Sequence, residues 1–465
     1  MQELAIMLEP QSREPLYLQI YTFIRREAEA GRIRQGEKLP SARALALQLG
    51  VSRSTVDLAY AQLVAEGYLE ARPSRGYFIS SLEELNRTGA PIWESFAPPK
   101  PKAPLPYDFA LGGIAPDGFP YNIWRKLSRE VLAGDDGNLF QLGEPQGDWG
   151  LREAIASYLY HGRGVSCSPQ QILVGAGNDY LLMLLSVIFP RDIRIAMENP
   201  TYISAYQTFR NLRFAVEPVS MDSQGMRVEE LEESGAQVAY VMPSHQFPMG
   251  TVMPIGRRMQ LLAWAGSRED RYLIEDDYDS EFRYKGRPVP ALLGADRAGK
   301  VIYLGTFSRS VAPAIRISYM VLPQRLLERY RKLPKVFSAT VSRADQRIME
   351  LFLRGGYYQR HLNRMRTCYK TKHDLLLASL KQIPAVERIW GEHAGTHLAV
   401  SLSGCSSEEE RIRQAREQGV QVYGLSDYLV GQGQGNHPPT ILLGYAALEE
   451  AKLAEAVARL AKAWR

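Results

Sequence analysis

Apolar residues along the first 80 positions recur at helical spacing, in short runs broken by turn residues. Leu45 and Leu49 share one face of a segment that Ser41 can cap and Gly50 can end, with Val51 packing the turn. A second segment opens at Ser52 and places Val56, Ala59, Tyr60 and Leu63 on one face before Gly67 stops it. Two short helices joined by a Gly-containing turn make a helix-turn-helix. The alternating runs Tyr68–Ala71 and Tyr77–Ser80 then predict a hairpin around Pro73–Gly76, a wing tipped by Arg72 and Arg75.

The pattern changes twice more. Pro91, Pro98, Pro99, Pro101, Pro104 and Pro106 crowd one stretch, which removes backbone donors and favours extended chain. Residues 81–106 are therefore expected to form a semi-rigid, proline-rich linker between a domain at 1–80 and a domain at 107–465. Beyond it, short β-rich runs alternate with helical stretches. The expected strands are Ile172–Gly175, Ile193–Met197, Val238–Met242, Tyr272–Glu275, Val301–Gly305 and Ile317–Val321. Such alternation argues for an α/β fold with a mainly parallel sheet covered by helices. A helical stretch rich in Arg and Lys follows from about 325 to 380, and a small C-terminal α+β subdomain closes the chain, with Ile441–Gly444 as a late strand.

The apolar run Tyr180–Phe189 has about half the roughly 20 residues that a membrane span needs, so it reads as a buried helix and no membrane association is expected. Cys167, Cys368 and Cys405 are widely separated, with neither a disulfide framework nor a zinc spacing; no metal is expected, and a reducing cytoplasm fits. A net charge of +5 over 465 residues does not by itself point to nucleic acid. Residues 1–80 carry 10 Lys+Arg against 9 Asp+Glu, so a case for DNA rests on where the charges sit. Ser52, Arg53, Ser54 and Thr55 gather at the start of the second helix, the end that enters a major groove and offers N–H groups and hydroxyls to phosphates.

The N-terminal segment resembles the GntR family of bacterial regulators. Its Leu-Pro-Ser-x-Arg run stands at Leu39–Arg43, its Leu-Gly-Val-Ser-Arg-x-Thr-Val run at Leu49–Val56, with Ala59–Tyr60 and Glu66–Gly67 following. The resemblance implies DNA contacts at Ser41, Arg43, Arg53, Thr55 and Gly76, beside Ser52 and Arg75. The rest of the chain is similar to fold type I aminotransferases, as found in the MocR/GabR branch of that family. The landmarks are LGEPQGDWGLREAIASYL from Leu142, MPSHQFPMG from Met242, IEDDYDSEFRY from Ile274 and GTFSRSVAPAIRISY from Gly305.

That likeness implies a site for pyridoxal 5′-phosphate, which needs a dianion pocket, a carboxylate for its ring nitrogen, an aromatic face and a lysine. Gly177 and Asn178 open a helix straight after a strand, where N–H groups point at a phosphate. By resemblance Thr306, Ser308 and Arg316 complete the phosphate contacts. Asp276, placed just beyond the strand Tyr272–Glu275, matches the partner of the ring nitrogen. Tyr278 matches a phenol near the ring oxygen, Tyr202 an aromatic stacked on the ring, and His245 and Gln246 lie in the loop beside it.

Two positions depart from the family pattern. Arg309 stands where the Schiff-base lysine follows Ser308. A guanidinium stays protonated and is a poor nucleophile, so no catalytic residue is assigned. The pocket is expected to hold the cofactor non-covalently or to accept a preformed cofactor–amine adduct. Leu442 stands where aminotransferases carry an arginine for the substrate carboxylate. The leading expectation is a homodimeric regulator that binds double-stranded DNA and senses pyridoxal phosphate, a small amino compound, or both. The alternatives are a working aminotransferase with an accessory DNA-binding arm, and a regulator whose large domain only dimerises.

Overall fold

A computed structural model describes residues 6–12, 14–81, 105–134, 137–286, 289–334, 337–404, 407–431 and 438–465. Most of the proline-rich stretch, and Cys405, lie outside the described residues. The chain divides into two compact units, Met1–Lys102 and Ala103–Arg465.

The first unit holds three helices, α1 (Leu16–Glu29), α2 (Ala42–Leu49) and α3 (Arg53–Ala65), and a hairpin of β1 (Leu69–Arg72) and β2 (Gly76–Ile79). Local chemistry sets each helix boundary. Ser41 Oγ accepts from Ala44 N at 3.2 Å, and Ser52 Oγ accepts from Thr55 N at 3.2 Å, so both helices begin on a hydroxyl cap. Gly50 ends α2 in the left-handed region, at φ +65°. Val56, Ala59, Tyr60 and Leu63 are fully buried against Ile20, Ile24 and Leu45. Tyr60 also donates to the Pro40 carbonyl at 2.9 Å, which ties α3 to the segment before α2. The hairpin differs from expectation by about one residue: Arg72 pairs with Gly76, so Gly76 belongs to β2 and only residues 73–75 form the turn.

The second unit is built on an eight-stranded sheet. Its strands are β4 (Ile172–Gly175), β5 (Arg194–Asn199), β6 (Ala215–Asp222), β7 (Gly225–Met226), β8 (Val238–Val241), β9 (Tyr272–Asp277), β10 (Val301–Thr306) and β11 (Ser318–Val321); β3 (Tyr107–Asp108) precedes them. The order across the sheet is β4-β11-β10-β9-β8-β5-β6-β7. Pairs from β10 through β6 are parallel, while β11 runs against both its neighbours and β7 against β6. Central strands of such a sheet are covered on both faces. Accordingly, every residue of β8 and β9 is buried, and the edge strand β4 is buried as well.

The six sequence-predicted strands are all present; β4 matches from end to end and the others shift by one or two residues at one or both ends. Both β5 and β9 run two residues further than expected, and β9, extending to Asp277, carries Asp276 within it rather than after it. The helix Asn178–Ile188 buries Leu181, Leu182, Leu184, Leu185 and Ile188, in accord with a buried helix there. Among the described residues no helix is long and apolar enough to cross a membrane. The region after 323 is helical at Gln324–Lys332, Arg343–Arg354 and Tyr357–Leu380. A smaller antiparallel sheet follows, of β12 (Val386–Trp390), β13 (His397–Leu402), β15 (Tyr423–Gly424) and β16 (Thr440–Gly444), while β14 (Val420–Gln421) pairs with β3. This is an N-terminal winged helix-turn-helix and a fold type I aminotransferase-like α/β domain with a mainly parallel sheet and a small C-terminal α+β subdomain.

Candidate functional site

The first candidate surface is the start of α3. Arg53 is exposed and forms an i,i+4 ion pair with Asp57 at 3.3 Å. Ser52 Oγ lies 2.8 Å from both Ser54 Oγ and Thr55 Oγ1, so three hydroxyls cluster at the helix N-terminus. Ser41 and Arg43 are exposed at the start of α2. On the wing, Arg75 is exposed in the turn. Arg72, read from sequence as a tip residue, instead lies in β1, with its guanidinium 2.9 Å from Glu70 and 4.5 Å from the Phe78 ring centre. Gly76 has φ +103°, and a Cβ there would come within 3.3 Å of Lys38 Cε, so the close turn requires glycine.

The second site is a cleft at the carboxyl ends of β4, β9 and β10. Asn178, Tyr202, Asp276, Tyr278, Thr306, Ser308, Arg309 and Arg316 all line it, together with Asp179, Met242, Phe247 and Ser318. Open parallel sheets place ligands at this end of their strands.

Asp276 is buried on β9. The Tyr240 hydroxyl donates to one of its carboxylate oxygens, and Asn178 Nδ2 lies 3.4 Å from the other. The Asp276 carboxyl is pushed up to about 7, chiefly by burial and also by Asp277 and Asp279, against the hydrogen bonds of Tyr240 and Asn178, which lower it. No cation reaches it in the described structure, although a protonated ring nitrogen would suit it. Asn178 Oδ1 is also buried without a hydrogen-bond partner among the described residues. Such atoms are costly unless a ligand or water completes them.

At the other end of the cleft the backbone is shaped for an anion. Gly177 caps the helix Asn178–Ile188 at φ +98°. A Cβ there would lie 2.0 Å from Arg316 Nη2, so only glycine lets the guanidinium lie across the helix start. Arg316 itself has φ +53°. It donates to Asp179 Oδ2 at 2.9 Å and to the Ala176 carbonyl at 3.3 Å. Ser318 Oγ and Thr306 Oγ1 stand 2.8 Å apart, and Ser308 N donates to Thr306 Oγ1 at 3.1 Å.

Between these ends sit the aromatics. Tyr202 meets Phe247 edge-on at 5.8 Å. The Tyr278 hydroxyl lies 2.9 Å from His245 Nδ1, which is 3.0 Å from Asp279 Oδ2. His245 is thus behind the cleft wall, where it positions Tyr278, while Gln246 is buried and donates to the Pro200 and Phe247 carbonyls. Arg309 donates to the Leu111 carbonyl and lies 5.9 Å from the Tyr278 ring centre. Leu442 is fully buried in β16, packed in the core.

A pyridoxal phosphate molecule fits this donor set: an anion end with Gly177 and Arg316, a buried carboxylate for a ring N–H, and aromatics along the wall. Sequence reasoning missed Tyr240, Phe247 and Asp179. The period-2 alternation of β8 puts Tyr240 on the face of Ile274 and Asp276, so its signal was in the strand register. Asp179 was visible as the residue after Asn178, at the helix start.

Residues 16–79 match bacterial regulatory proteins of the gntR family, and residues 113–460 match aminotransferases of class I and II. The chain is 38% identical to YdeL of Bacillus subtilis (strain 168), described as an uncharacterized HTH-type transcriptional regulator, over 97% of each protein. It is 31% identical to the probable rhizopine catabolism regulatory protein MocR of Rhizobium meliloti, over 99% of this chain and 96% of that one. It is 30% identical to the pyridoxine biosynthesis transcriptional regulator PdxR of Corynebacterium glutamicum, over 99% and 98%. Among solved structures, Pyrococcus horikoshii kynurenine aminotransferase matches with a TM-score of 0.69 and 27% identity, covering 78% of this chain and 91% of that one. The molecule is a transcription regulator that joins a DNA-binding winged helix to an aminotransferase-like domain. It belongs to the gntR family of bacterial regulatory proteins, in the MocR/GabR branch.

Proposed function

We propose that this regulator binds double-stranded DNA through α2, α3 and the wing, and that its large domain senses pyridoxal 5′-phosphate, a small amino compound, or both, without transaminating. The observation that carries the reading is that Arg309, at the position where the family resemblance expects a lysine, lines the same cleft as Asn178, Asp276 and Arg316. The bound cofactor would supply an aldehyde able to capture an amine and an electron-withdrawing ring. Asp276 would hold the ring N–H, Gly177, Asn178 and Arg316 the phosphate, Tyr202 the ring face and Tyr278 the ring oxygen.

Arg309 keeps its charge and donates to the Leu111 carbonyl, so it neither bonds covalently to a carbonyl carbon nor moves a proton between carbons. The cleft therefore holds a ligand rather than turning it over. Leu442 offers no charge to a carboxylate, which favours an amino compound recognised by other groups. Exposed Phe140 and Leu142, 82% and 89% accessible, support a homodimer that covers them.

The test uses the full-length chain. A duplex selected from a randomised pool is titrated with protein, with and without pyridoxal phosphate. The reading expects saturable, dialysable cofactor binding and a change in duplex affinity when the cofactor is present. Tight duplex binding that is indifferent to every cofactor and amine concentration would reduce the large domain to a dimerising platform.

A further inference from the structure

We propose that Asp179 is a built-in competitor for the ligand's phosphate, which keeps the cofactor site weak and reversible. The proposal rests on the cofactor-sensing reading above and sets its specificity and strength.

Asp179 is the second residue of the helix Asn178–Ile188, where a carboxylate already answers the partial positive charge of the helix start. Its Oδ2 lies 2.9 Å from Arg316 Nη2, so the guanidinium that a phosphate would use is already paired. Both side chains line the cleft and are half exposed, at 50% for Arg316 and 60% for Asp179, so solvent and ligand reach them. Arg316 cannot swing away freely, because it lies across Gly177 and also donates to the Ala176 carbonyl at 3.3 Å.

A phosphate entering this end must share Arg316 with a carboxylate of like charge a few ångströms away. Repulsion of that kind is modest in a solvated cleft but acts on every phosphorylated ligand alike. A ligand without a phosphate does not meet it. The site should therefore respond to cofactor concentration instead of remaining saturated, as a sensor without a covalent anchor at 309 requires.

The experiment compares pyridoxine 5′-phosphate with pyridoxine. Neither has an aldehyde, so both bind only non-covalently. Equilibrium dialysis on the full-length chain measures both affinities for the unaltered protein, for Asp179→Asn and for Asp179→Ser. Asn and Ser are no larger than Asp and the altered side chain is half exposed, so each variant is expected to keep its fold. The proposal expects both variants to bind pyridoxine 5′-phosphate about tenfold more tightly, with pyridoxine unchanged. Equal or weaker phosphate-ligand binding in the variants, or pyridoxine tightened as much, would overturn the competitor role and leave the sensing reading standing. No binding of the phosphorylated ligand to any of the three chains, with pyridoxal phosphate also failing to bind the unaltered protein, would overturn both.

Discussion

At the scale of single residues, the proposed cofactor site makes Asp276 the group expected to set a pH response. Its carboxyl is pushed up to about 7, chiefly by burial, so its charge is sensitive to pH near neutrality. A ring that arrives carrying N–H⁺ needs the ionised form. Below pH 7 the site must first lose a proton, so affinity should fall as pH drops, approaching tenfold per unit. Asp276→Asn should bind the cofactor weakly and with a flat profile between pH 6 and 7, measured by dialysis. Wild-type affinity that is level across that range would remove Asp276 from contact with the ring nitrogen. The assignment of Asp276 was legible from its motif, but its exact place was not. Tyr272–Glu275 looks like a complete strand because its last apolar residue is Ile274, yet hydrogen bonding with β10 continues through Asp277. Polar residues at the end of a central strand are hidden from a hydrophobicity pattern when a site requires them there.

At the scale of elements, the start of α3 carries the DNA-binding reading. Its cap, buried face and terminating turn could be read directly, because Ser52, Val56, Ala59, Tyr60, Leu63 and Gly67 each have a local physical reason. The wing was legible only approximately, since three turn residues and a β2 strand that starts at Gly76 fit the same sequence as the wider loop. Arg53→Ala should weaken binding to a selected duplex by about 1–3 kcal/mol if it touches a base edge, with discrimination lost at one position. A phosphate contact would instead weaken all duplexes alike. Unchanged affinity for selected and random DNA would take Arg53 out of the interface. Ser52→Ala tests the helix cap. It removes the hydroxyl that accepts from Thr55 N, and should destabilise the first unit by about 1 kcal/mol in thermal unfolding. In the large domain, β6, β12 and β13 went unread. The burial of β6 is irregular and that of β12 is partial, so neither shows a clean alternation, while β13 is buried on both faces, with His397, Ala399 and Ser401 opposite Leu398, Val400 and Leu402, so its polar face does not mark a solvent side.

At the scale of the whole molecule, two folded units joined by a proline-rich stretch suit a regulator that couples a ligand cleft to DNA. The stretch from 81 to 106 should be the first cut in limited proteolysis, releasing a DNA-binding fragment and a large fragment of stable size. Early cuts inside the eight-stranded sheet domain would contradict those boundaries. The central proposal is that Arg309 leaves the cofactor no lysine to bond at that position, and absorbance with borohydride reduction tests it most directly. Purified full-length protein with pyridoxal phosphate should show no lysine-linked chromophore, and after borohydride treatment mass spectrometry should find no cofactor fixed at position 309. Arg309→Lys should turn yellow and become labelled at 309, because Gly177, Asn178, Asp276 and Arg316 still surround it. A wild-type protein that is already yellow and reducibly labelled on a cleft lysine, or an Arg309→Lys variant that stays colourless in excess cofactor, would contradict the account.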